Sequence, residues 1–362
     1  MEELSPTRFY TEFFHRLVSR WTGWPEGVIA AIGWVAGCVV LGVIMMVTTM
    51  LLIWAERKVS AWIQSRLGPT RVGPAGILQT LADGIKLFQK EDLIPAVADR
   101  KLFTLAPLLC FTCSLVALVV VPWDRDAIGS DVSIGVLFII AAASINVLGI
   151  LMASWGSNNK WALLGGIRSA AQMVSYEIPQ ALAIIAVVMT AGTLSLREMG
   201  EQQAGWLGNW NLFRYWLMPA ALLYFVAGLA EVNRTPFDLP EAESELVAGF
   251  HTEYSGMKFG FFFLGEYINA FIVGLVFATM FLGGWNWGIP ALDRLAGQVH
   301  MPGFVVVYVK AWVVVLLMMW VRWTLPRLRV DQLMAFAWKL LIPAGLLLLV
   351  GTGLVLQLGW TY

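Results

Sequence analysis

The sequence predicts an all-α, polytopic transmembrane protein of about eight spans, with one further amphipathic helix on the membrane surface. Three observations predict it. Hydrophobic residues make up 59% of the 362 positions and charged residues 13%, against roughly 45–50% and 25% in soluble domains. The mean hydropathy is +0.72, so a soluble fold of this length lacks the polar surface to cover itself. Apolar runs of about 20 residues, the length that crosses a bilayer core, recur along the chain. Lys+Arg and Asp+Glu balance at 24 each, which gives no sign of nucleic-acid binding.

Residues 1–27 read as an N-terminal segment outside the membrane domain. Their acidic, polar start (MEELSPTRFYTEFF) lacks the basic region of a cleavable signal peptide. Residues 28–362 read as a single transmembrane helical domain, with spans expected at 28–54, 102–122, 132–154, 163–192, 215–230, 259–283, 303–321 and 335–359. The fifth is short, bounded by Arg214 and Glu231. The fourth is long and interrupted by Arg168 and Glu177. Eight spans place both termini on one side. The connections 55–101, 155–162, 231–258 and 322–334 carry 14 Lys and Arg against 7 on the opposite side. The richer set is expected in the cytoplasm, with the termini and the N-terminal segment periplasmic.

Two of those cytoplasmic connections are unlike ordinary loops. In 55–101, Ile77, Leu78, Leu81, Ile85 and Leu87–Phe88 recur at helical spacing with Asp83, Lys86 and Lys90 among them. That pattern predicts a helix lying in the interface plane. The segment 231–258 holds six of the 24 acids: Glu231, Asp238, Glu241, Glu243, Glu245 and Glu253. A helix starting at Pro240 would put Glu241 and Glu245 on one face, where like charges repel and share protons.

Metal and nucleotide chemistry have little to rest on. Cys38, Cys110 and Cys113 are too few for an iron–sulfur cluster, and His15, His251 and His300 are scattered. No glycine-rich nucleotide loop or zinc-protease motif occurs. No metal and no cofactor is expected on this chain alone.

The membrane-embedded acids point to proton or ion handling. Glu177 lies within the fourth span, where an ionised acid costs roughly 2.5–3.5 kcal/mol on insertion scales and marks a functional pathway. Pro179 beside it interrupts the backbone ladder, which suits a cavity-lining segment. Glu266 is a second intramembrane acid. Glu56, Arg57 and Lys58 rim the end of the first span. With Asp83 they could admit a molecule with a polar head and an apolar tail.

Four segments carry a family resemblance: WAERKVSAWIQSRLGPTRVGP, NNKWALLGGIRSAAQMVSYEIP, AEVNRTPFDLPEAESELVAGFHTEYSGMKFGFFFLGEY and LPRLRVDQLMAFAWKLLIP. In order and content they resemble the H-subunit family of bacterial NADH–quinone oxidoreductase, respiratory complex I, over nearly the whole chain from residue 28. Two positions depart from the pattern. Thr70 follows Gly68-Pro69 where the family commonly has Asn, and Val330 stands where Tyr is frequent.

The resemblance implies a bacterial inner-membrane component forming the membrane side of a quinone chamber. Quinone would be the substrate. The partners would be hydrophilic iron–sulfur and quinone-site subunits, other membrane-arm subunits and the lipid bilayer. It implies that Glu177 is the intramembrane relay and that Glu231, Asp238, Glu241, Glu245 and Glu253 line an acidic funnel. Arg234, Glu56, Arg57 and Asp83 would flank the quinone path. Moving one charge against 100 mV takes about 2.3 kcal/mol, more than the roughly 1.4 kcal/mol of one pKa unit, so a relay needs several coupled acids. Two other readings fit the acids: an independent ion-coupled transporter, and the homologous membrane anchor of a membrane-bound hydrogenase.

Overall fold

The structure, a computed structural model, describes residues 26–125, 127–239, 248–290 and 303–359. Among them every regular element is helical. Helix α1 (Glu26–Ile63) runs nine residues past its expected end at 54, because AERKVSAWI contains no Gly or Pro to stop it. The chain turns afterwards, where Ser65 and Gly68 take left-handed conformations with φ of 56° and 65°. A side chain at Gly68 would also press on Ala61 Cβ at 3.0 Å and the Arg57 carbonyl at 3.2 Å, so this tight return needs glycine. A short turn at Pro74–Gly76 leads into α2 (Gln79–Gln89). There Thr80 is buried, while Ile77, Leu78, Leu81, Ile85 and Phe88 stay exposed, as an interfacial helix requires.

Helix α3 (Arg100–Ala117) starts at Asp99, whose carboxylate accepts the amides of Lys101 and Leu102 at 2.9 and 3.3 Å. Helices α4 (Gly135–Gly156), α5 (Lys160–Ala191), α6 (Leu196–Gln202) and α7 (Met218–Glu231) follow. Asn159 caps α5, and Pro179 sits within it without ending it. After α8 (Gly256–Phe281) and α9 (Gly303–Thr324), α10 (Val330–Phe336) passes through a π-helical turn (Ala337–Leu341) into α11 (Ile342–Gln357).

Among the described residues, seven helical stretches are long and apolar enough to cross a membrane. The fifth apolar run, α7, has 14 residues and spans only about 21 Å, short of a roughly 30 Å hydrocarbon core. Helix α8 is the most enclosed of the seven, and α1 and α11 are among the most exposed. Helix α3 packs on α4, α4 on α5, and α5 on both α7 and α11, while α8 packs on α3 and α9. The polar side chains described below project into this central group.

Candidate functional site

The site is built around the early end of α7. Asn233 takes a left-handed conformation (φ 52°). The Arg234 amide bonds back to the Leu229 carbonyl at 3.2 Å, and the Asn233 amide to Ala230 at 3.2 Å. This paired return stops the helix and satisfies its last carbonyls. Gln172 of α5, 1% exposed, places Nε2 within bonding reach of the Ala230 carbonyl (2.8 Å), the Phe237 carbonyl (2.6 Å) and Asn233 Oδ1 (3.0 Å). The segment after α7 is thereby held against α5 instead of leaving as a solvated loop. Further on, a Cβ at Gly165 would lie 2.7 Å from Gly249 Cα, so only glycine lets the returning chain pass this close to α5. Phe237, Asp238, Leu239, Phe250 and Tyr254 are all buried.

Ending α7 here leaves Glu231 on the wall of a cavity bounded by α3, α4, α5, α7 and α8. Glu177 and Gln180 of α5, Tyr224 of α7, and Asn146 and Asn269 line it with Glu231. Ser144 donates a short hydrogen bond to Glu177. Gln180 reaches the Glu231 carboxyl, whose Oε2 has no hydrogen-bond partner among the described residues. A second cavity is lined by Glu231 together with Glu266, Asn233 and Phe250. The two cavities share Asn146, Met173, Glu231 and Asn269. Glu177, Glu231 and Glu266 thus border two cavities that share lining residues, and the described donors that contact Glu177 and Glu231 are neutral.

A different arrangement surrounds Glu56. This buried carboxylate of α1 accepts Arg234 Nη1 at 3.1 Å on both oxygens and a short bond from Arg322 of α9. The Arg234 guanidinium also lies over the Tyr267 ring, 4.2 Å from its centroid. Burial works against the charge on Arg234, and Glu56, with smaller help from Tyr267 and Glu266, outweighs it and holds the group above its ordinary range. The charges converge from α1, the segment after α7, and α9.

The other expected residues are spread out. Asp238 is buried and accepts Arg327 Nη2 at 2.8 Å. Glu253 accepts Asn159 Nδ2 at 2.6 Å and belongs to neither cavity. Arg57 and Asp83 pair at 2.6 Å with side chains 42% and 38% exposed, with Gln79 also donating to Asp83 at 3.0 Å. Glu241 and Glu245, with the helix expected from Pro240, lie outside the described residues. Sequence reasoning missed Arg322, Arg327, Ser144 and Gln180. The two arginines were legible only as members of a basic connection, and the two neutral donors carried no signal at all.

The chain matches the family model described as NADH dehydrogenase over residues 36–353. It is 46% identical over 339 residues to the H subunit of NADH-quinone oxidoreductase from Chlorobaculum parvum, covering 90% of this chain and 94% of that protein. The corresponding protein of Phocaeicola vulgatus is 44% identical over 344 residues, with 93% and 94% covered. NADH-quinone oxidoreductase subunit 8 of Rhodothermus marinus is 46% identical over 323 residues, with 86% and 94% covered.

Proposed function

This chain belongs to the NADH dehydrogenase family and is a membrane subunit of NADH-quinone oxidoreductase; from that premise we propose that it forms the membrane part of the quinone chamber and a carboxylate relay coupled to it. The relay runs through Glu177 and Glu231. The single observation that carries this reading is their position on the wall of one internal cavity, with Glu231 shared by a second cavity that reaches Glu266. A carboxyl group contacted by neutral donors takes up or gives off a proton without breaking an ion pair. The coupled response of several acids meets the energy demand that one acid fails to meet.

The Glu56–Arg234–Arg322 cluster joins this interior to the end of α1, next to α2. Its dense charge and the exposed apolar side of α2 suit a molecule with a polar head and an apolar tail, the chemistry of a quinone. In this reading Glu56, Arg57, Asp83 and Arg234 flank the path of the quinone. Asp238 and Glu253 belong to the charged lining of the cytoplasmic side, and Glu241 and Glu245 continue it. Electrons reach the quinone through hydrophilic iron–sulfur subunits docked on the cytoplasmic side. Other membrane-arm subunits take up the change in protonation, and the assembly sits in the bacterial inner membrane.

The test is Glu177→Gln in the assembled complex, reconstituted into vesicles. The amide keeps the shape and a partner for Ser144 while removing proton exchange. Proton translocation is expected to fall about a hundredfold, the lower range for losing a positioned proton carrier, with assembly retained. Translocation at the parental rate would remove Glu177 from the relay and overturn the proposal.

A further inference from the structure

The boundary between the two cavities is made by four side chains from four helices: Asn146 of α4, Met173 of α5, Glu231 of α7 and Asn269 of α8. Two of them are neutral amides within apolar helices. Asn146 is 8% exposed. Among the described residues neither side-chain amide bonds to another protein group, yet neither is sealed from the cavity surface. An amide in such surroundings without a partner is expensive, and one beside a cavity that also carries Glu177, Gln180 and Glu231 is satisfied by water. Glu231 at the same boundary has a buried oxygen, Oε2, without a hydrogen-bond partner among the described residues.

We propose that Asn146 and Asn269 are positioning residues that hold water across this constriction and so connect Glu231 with Glu266 and Glu177. Each amide offers both a donor and an acceptor, so it can hold a water in either orientation as a proton passes. Met173 supplies an apolar side between them. Its unbranched chain and three rotatable bonds let the opening widen or close without disturbing a helix. The inference rests on the relay proposed above, and it assigns to these amides the continuity of that relay.

The test uses the assembled complex in vesicles, with Asn269→Leu and Asn146→Leu as nearly isosteric variants without polar atoms. Electron transfer from NADH to a water-soluble artificial acceptor reports assembly. Proton translocation with quinone as acceptor is expected to fall about tenfold in each Leu variant, the equivalent of one lost hydrogen-bonded link. Asn269→Ser, which still holds a water, is expected to restore most of it, as a packing role would not. Parental translocation in both Leu variants while Glu177→Gln fails overturns this inference and leaves the relay standing. Equal failure of Asn269→Leu and Asn269→Ser overturns it as well, and assigns the residue to packing. Parental translocation in Glu177→Gln and both Leu variants removes the relay and this inference together.

Discussion

Glu56 and Glu177 are both glutamates of membrane-spanning helices, yet their surroundings differ in kind. Glu56 lies between two guanidinium groups, one of them stacked on Tyr267. Glu177 takes a hydroxyl bond from Ser144 and faces a cavity with Gln180 and Glu231. At Glu56 the negative charge ties α1 to α9 and to the segment after α7. At Glu177 the hydrogen bond among the described residues comes from the neutral Ser144 hydroxyl, so no ion pair seen there holds two helices together. The comparison separates an acid held in an ion-pair cluster from an acid bonded to a hydroxyl on a cavity wall, a distinction that residue type alone does not make.

The largest effect on that comparison is expected from Glu56→Ala. Removing the carboxylate leaves Arg234 and Arg322 facing each other without their shared counter-charge, at a cost of about 3–5 kcal/mol. It should be read as loss of assembled complex and of thermal stability in detergent. Assembly at the parental level would mean that Glu56 is not structural. Glu177→Gln should show the opposite profile, with stability within about 0.5 kcal/mol of the parent and translocation lost.

Next in size is Arg234→Lys. It keeps the charge but loses the flat guanidinium, whose Nη1 contacts both oxygens of Glu56, and most of the stacking on Tyr267, for about 1.5–3 kcal/mol. A thermal midpoint equal to the parent's would show that charge alone holds the cluster. Asp238→Asn weakens the bond from Arg327 at a partly exposed site, and about 1 kcal/mol is expected, measured by the same melting experiment. The smallest effect belongs to Arg57→Ala. Its pair with Asp83 is exposed and worth about 0–1 kcal/mol, so assembly should be unchanged. A clear fall in quinone reduction at intact stability would place Arg57 on the quinone path, and the parental rate would leave it a surface residue.

Much of the fold was legible from hydropathy, because each apolar run must form a complete helix to satisfy its backbone in lipid. The amphipathic helix was legible from the spacing of Ile77, Leu81, Ile85 and Phe88. The end of α1 was misjudged, since charged residues at 56–58 read as a loop when the helix continues to Ile63. Of the site, Glu177 stood out as an acid in an apolar run. The partners of Glu56 did not, because Arg234 and Arg322 lie 178 and 266 positions away and no local pattern relates them.

The sequence by itself determined which stretches enter the membrane, where α7 stops, and which acids are carried inside with them. These follow from local chemistry: apolar length, a short run bounded by Arg214 and Glu231, and the scarcity of charge elsewhere. Only the tertiary structure decided which acids meet cations and which face cavities. That sorting depends on helices far apart in sequence approaching one another, and on the depth at which Glu231 is left when α7 ends beside Gln172 and Gln180 of α5.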